Sequence, residues 1–239
     1  MSSPKKVPAS PALVVDGSGP CFFAGILGSS GAWLDYRKAE APALESLFPT
    51  VDEVLRGAGV DLSDIRSFVY CEGPGSVLGL RLCAMAIETW RRIYETPARL
   101  YGYNSLKLVA AELLRHEGIR EEALLISDWK KDSWNSLKIA DDGLGDVAPV
   151  SAGELSQWKG PLYHLPARKG WQKPPDRAQE VSYNPESLAS LLPVAELLAP
   201  REKVELYNSG VNSFRKWTPE RHRKTPEQAK SGGTSPAPL

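Results

Sequence analysis

Two short turns hold the residues of this 239-residue chain whose types and spacing could do chemistry. Asp16-Gly17-Ser18-Gly19 separates two apolar runs, and the backbone N–H groups of a tight turn there could hold an anion. The same residue types also make an ordinary turn with no ligand. Gly73-Pro74-Gly75-Ser76 stands directly before a helical pattern, where free N–H groups and the positive helix end could face an anion. Equally, those glycines suit a rigid cap that lets a helix and a strand approach closely. The second turn has no P-loop lysine and does not follow GxGxxG. The candidate anion-binding residues are therefore Asp16, Gly17, Ser18, Gly73, Gly75 and Ser76.

Elsewhere the chemistry thins out. His116, His164 and His222 are scattered, without HxxxH or HExxH spacing, so no metal site is expected. Ser18, Ser76 and Ser133 lack the GxSxG setting of an activated nucleophile. Asp16 and Asp128 each end a strand-like run and could pair as a general-base dyad, although acids at strand ends are common turn residues. No catalytic residue and no cofactor is predicted. Cys21, Cys71 and Cys83 are odd in number and form no CxxC, which reads as free thiols in a reducing cytoplasm.

The elements that must position these turns follow from periodicity. Ala12 to Asp16, Cys21 to Leu27 and Ala32 to Tyr36 read as three consecutive strands. Leu44, Leu47, Phe48, Val51, Val54, Leu55 and Ala58 then recur at helical spacing. Ser67 to Cys71 is a continuous apolar run typical of a buried strand, and Gly79 to Tyr94 is helical. Arg99 to Tyr103 and Leu106 to Arg115 add another strand and helix. The order βββαβαβα predicts an α/β fold of the actin-like, ribonuclease-H-like class. Residues 12–117 form its first lobe, and residues 118–215 form a smaller, irregular second lobe in which a helix over 185–198 packs back on the first. Residues 216–239 read as a disordered basic tail. Lysines and arginines balance the acids at 29 each, so no overall field draws the chain to nucleic acid or an anionic surface. No run approaches the length of a membrane span, and a cytoplasmic location is expected.

The first turn resembles the first phosphate loop of the actin and sugar-kinase superfamily. Leu47-Phe48-Pro49, then Asp61-Leu62-Ser63-Asp64-Ile65, then Gly73-Pro74-Gly75-Ser76-Val77-Leu78-Gly79-Leu80-Arg81 together resemble the TsaB (YeaZ) family. Its hallmark is similar to GPGSFTGLR, and seven of those nine positions match, with Val77 and Leu78 in place of Phe and Thr. Asp128-Trp129-Lys130-Lys131 and Trp134 are similar to the family's acid, basic pair and aromatic opening its second domain. The resemblance implies a non-catalytic protein acting in the formation of threonylcarbamoyl-adenosine in tRNA. It also implies pairing with TsaD through helices of the first lobe, and through TsaD with the ATPase TsaE and tRNA. A homodimer is the alternative assembly when the protein is alone. Leu47, Val51, Met85 and Trp90 are the predicted partner face. The competing expectation is an ATP-binding phosphotransferase of the actin-like superfamily, using Asp16 and Asp128.

Overall fold

The computed structural model describes residues 8–94, 97–116, 122–140, 143–166, 172–193 and 195–208, all within one compact unit that ends at Ser209. The tail expected over 216–239 lies outside the described residues.

Strands β1 (Ala12–Asp16), β2 (Phe22–Leu27) and β3 (Trp33–Ala39) form an antiparallel meander. After helix α1 (Ala43–Ala58), strand β4 (Ser67–Gly73) pairs parallel to β1 on its other side. Helix α2 (Val77–Ile93) crosses to β5 (Arg99–Asn104), which pairs parallel to β4 and leads into α3 (Ser105–His116). A late strand, β12 (Ala199–Arg201), closes the far edge. The sheet runs β12-β5-β4-β1-β2-β3, so the expected βββαβαβα series forms one ribonuclease-H-like sheet, and β12 is an addition at its edge.

Alternation along β1 explains how this sheet has two cores. Leu13 and Val15 point to the face covered by α1 and α2, where they meet Leu47, Val51, Val54, Ile87 and Trp90. Ala12 and Val14 point to the opposite face, under α3, and share a second core with Leu106, Val109 and Leu113. Asp16 has the parity of Ala12 and Val14, so its side chain enters that second core near the C-terminal edge of the strands.

The second sheet begins with a hairpin of β6 (Ala123–Lys130) and β7 (Ser133–Ala140). Short strands extend it: β8 (Gly143–Leu144), β9 (Ala148–Ser151), β10 (Leu162–His164) and β11 (Gln179–Glu180). Its strands run in the order β11-β10-β6-β7-β8, with β9 also on β7. Helix α4 (Ala152–Gln157) follows β9 and carries a capping box between Ser151 and Glu154. The stretch that reads as irregular is thus a mixed sheet whose added strands are only two to four residues long, too short to carry a period. Leu125, Leu137 and Ile139 join the core under α3, so the two sheets share one apolar interior.

The long helix expected over 185–198 is much shorter. A 3-10 turn over Pro185–Ser187 leads into α5 (Leu188–Leu191), and the helix ends before Pro193. Pro193 cannot donate the N–H that the carbonyl of Ala189 would need for another turn. The short helix nonetheless packs on α3, with Leu188 and Leu191 fully buried.

Candidate functional site

The two glycine-rich turns meet. Glycine permits the contact: a Cβ at Gly17 would lie 2.9 Å from the backbone of Gly79, and one at Gly75 would lie 2.5 Å from Ser18 Cβ. A Cβ at Gly79 would fall 2.0 Å from the Gly17 carbonyl oxygen. Gly73 adopts φ +108°, which a side chain would disfavour. The N–H of Ser76 donates to the Ser18 carbonyl at 2.8 Å, and Ser76 Oγ caps α2 by accepting from Gly79 N–H at 3.3 Å. Ser105 Oγ, at the start of α3, donates to the Pro74 carbonyl at 2.6 Å. Leu80 enters the core and Arg81 is exposed. The motif Gly73 to Arg81 is therefore a close-packing device between the β1–β2 turn and α2. Ser76 N–H, Ser76 Oγ, Gly79 N–H and the Pro74 carbonyl are all satisfied within the protein.

Asp16 lies beneath this joint, 1% exposed. Its Oδ1 accepts the Ser18 N–H at 2.7 Å, while Oδ2 accepts the hydroxyls of both Tyr103 and Tyr183, the latter at 2.5 Å. Tyr183 also receives a hydrogen bond from Ser18 Oγ at 3.0 Å. Burial first, and then the carboxylate of Asp16, push both phenols well above the ordinary tyrosine range. Burial likewise raises the thiol of Cys71, which lies 3.6 Å from the Tyr183 hydroxyl. Both carboxylate oxygens are thus committed to donors in the core. Asp16 is held as a structural acceptor, an arrangement that does not present it to a metal or a phosphate.

Sequence reasoning missed Tyr103 and Tyr183. Tyr103 is legible only as a strand residue, and Tyr183, 167 positions from Asp16, follows β11 with no local signal. Asp128, the other acid of the expected dyad, does line a cavity of about 480 Å³ between the two sheets. That cavity is bounded by Gly17 to Phe22, by Pro74 to Ser76, and across it by Ser127, Leu165 and Pro166. Among the described residues no group of three or more His, Cys, Asp or Glu side chains is placed to hold a metal ion.

The predicted partner face is rearranged. Leu47, Val51 and Trp90 are 3%, 3% and 7% exposed and belong to the core between α1, α2 and the sheet. Trp90 stacks on Phe68 and meets the edge of Phe48. Met85 alone of the four is open, at 66%. The other exposed large apolar residues of these two helices are Leu44 and Phe48 on α1 and Val77, Leu78 and Ile93 on α2. Leu78, half-buried Leu82, Met85 and Ile93 recur at helical spacing on one side of α2, and a second, buried stripe of Leu80, Cys83, Ile87 and Trp90 runs on the other. Sequence periodicity finds both stripes but cannot tell which faces the sheet.

Comparison with known proteins gives the arrangement its context. Residues 37–128, from β3 to the end of the core of β6, match the family model of TsaD, described as tRNA N6-adenosine threonylcarbamoyltransferase. YeaZ from Pseudomonas aeruginosa superposes with a TM-score of 0.56 at 19% identity, over 76% of this chain and 90% of that one. The fold is that of YeaZ. A second structure, of a Pseudomonas aeruginosa protein described by its similarity to peptidase YEAZ, superposes with a TM-score of 0.53 at 20% identity. It covers 75% of this chain and 88% of that one. Together these agree with the TsaB (YeaZ) resemblance drawn from Gly73 to Arg81. Among the described residues no helix is long and apolar enough to cross a membrane.

Proposed function

We propose that this protein is a non-catalytic, TsaB-like partner subunit that binds a TsaD-family protein in the formation of threonylcarbamoyl-adenosine in tRNA. The observation that carries the reading is the exposed apolar stripe of Leu44 and Phe48 on α1 with Leu78, Met85 and Ile93 on α2. Large exposed side chains of this kind, aligned on two adjacent helices, mark a surface meant to be covered. The stripe lies inside residues 37–128, the segment that matches the TsaD family model. The commitment of both Asp16 oxygens to Tyr103, Tyr183 and Ser18 supports a subunit without phosphotransfer chemistry of its own. In this assembly TsaE and tRNA are reached through the TsaD-family partner.

The purified chain, mixed with the TsaD-family protein of its own organism, is expected to form a one-to-one complex in size-exclusion chromatography with light scattering. Met85→Glu and Phe48→Glu should each weaken that complex at least about tenfold, because each buries an unpaired charge at an apolar contact. Circular dichroism should show both variants folded. Absence of a complex with the native chain, or normal binding by both folded variants, would overturn the reading.

A further inference from the structure

Among the described residues β3 is the last strand of the first sheet, so one side of its backbone faces no other strand. Which groups lie on that side follows from the ladder with β2. The N–H of Gly28 donates to the carbonyl of Ala32 at 2.9 Å across the hairpin. Alternation along β2 then turns the backbone of Ile26 and Ala24 toward β3, opposite Asp35 and Arg37. The N–H and C=O of Tyr36, between those two residues, therefore point outward. An open edge of this kind is a template for a further strand.

Both outward groups of Tyr36 are already taken. Its N–H donates to Asp35 Oδ1 at 2.8 Å, and its carbonyl accepts from Arg37 Nη1 at 2.8 Å. Arg37 Nη1 also pairs with that same oxygen of Asp35, so the two flanking side chains close a ring over the backbone of the residue between them. Helix α1 holds the acid in place: the second carboxylate oxygen of Asp35 is seated at Gly57, where a Cβ would overlap it. On the strand itself Leu34 and Tyr36 stay open, at 54% and 45% exposed.

The strand that fits this edge is its own copy. In antiparallel pairing with the β3 of a second chain, with Tyr36 on the two-fold axis, the two Tyr36 residues would exchange both hydrogen bonds. Asp35 of each chain would then face Arg37 of the other, so charge favours the pairing instead of opposing it. What stands in its way is the occupation of the Tyr36 backbone. We infer that β3 is a strand-pairing edge kept shut by the Asp35–Arg37 clamp, and that it is shut against the β3 of a second copy of this chain. The edge uses none of the residues of the apolar stripe on α1 and α2, so it is independent of partner binding there.

The test uses the full chain carrying Met85→Glu, which keeps that stripe out of any self-association. In hydrogen exchange followed by NMR, the Tyr36 amide of this parent chain should exchange at least about tenfold more slowly than an unprotected amide. Gly57→Ala, which displaces the carboxylate without altering β3, should remove that protection. Asp35→Ala combined with Arg37→Ala should self-associate in sedimentation equilibrium with a Kd of about 0.1 to 1 mM, while the parent stays monomeric. Arg37→Ala alone, at a side chain half open to solvent, should associate more weakly than the double variant. Adding Tyr36→Pro to the double variant should restore the monomer, because proline removes an outward N–H that the ladder to β2 does not use. The inference is overturned if the Tyr36 amide of the parent exchanges at the unprotected rate. It is overturned equally if Arg37→Ala and the double variant both remain monomeric up to about 1 mM, or if Tyr36→Pro leaves the association unchanged.

Discussion

Tyr103 reaches Asp16 from β5 and Tyr183 from the segment that follows β11, and their hydroxyls turn an acid in a phosphate-loop setting into the centre of a buried hydrogen-bond cluster. Each phenol keeps its proton in the folded state past the pH, about 10, at which it would ionise in the unfolded chain. The folded state therefore binds more protons there than the unfolded state, and stability must fall as pH rises. The urea midpoint should be flat near pH 8 and decline above about pH 10, toward the raised folded values. Tyr183→Phe should make that decline shallower, since one titrating group is gone. It should also cost about 1 to 3 kcal/mol at neutral pH by removing a donor to Asp16 and the acceptor of Ser18 Oγ. An alkaline decline of unchanged slope in this variant would show that Tyr183 does not contribute to it.

Between elements, the junction of the β1–β2 turn with the N-terminus of α2 depends on atoms that are missing. Gly79→Ala would press a methyl group into the Gly17 carbonyl and should cost about 1 to 3 kcal/mol or more, read from the denaturation midpoint. Gly153→Ala in α4 is the control, because a Cβ there approaches nothing closer than its neighbour Ser151 at 3.9 Å. It should be neutral or stabilising by up to about 1 kcal/mol. Equal losses from both substitutions would remove the packing account of the motif. The helices α1 and α2 tell a related story. Val51 and Met85 are both apolar helix residues, yet a charge at Val51 would enter the core, whereas one at Met85 would sit in solvent. Val51→Glu should therefore unfold the chain, while Met85→Glu should change only association.

Across the whole molecule, the two sheets meet through a common interior. Val14, Phe23 and Tyr103 from the first sheet join Leu125, Leu137 and Ile139 from the second and Leu188 and Leu191 from α5. The bidentate pair of Arg201 on β12 with Glu72 on β4 ties a late segment back to the centre of the first sheet. We therefore expect a single calorimetric transition, with van't Hoff and calorimetric enthalpies equal. Two resolved transitions would mean that the lobes expected over 12–117 and 118–215 unfold separately despite their shared core.

The sequence by itself determined the five strands and three helices of the expected first lobe and their order, because each is long enough to repeat its own period and is punctuated by glycine or proline; β12, three residues long, carried no such signal. It marked both glycine-rich turns, while their contact through Gly17, Gly75 and Gly79 is a finding of the structure. Its strands after β7 escaped detection because two to four residues hold less than two full repeats. What only the tertiary structure decided is which of two readings each residue takes. Asp16 reads as part of an anion-binding turn until Tyr183, distant in the chain, occupies it. Leu47, Val51 and Trp90 read as a partner face until the sheet packs on their side of the helices and leaves Phe48 and Met85 outside. Periodicity gives a helix its apolar stripes, but the direction each stripe faces is fixed by contacts between segments far apart in sequence.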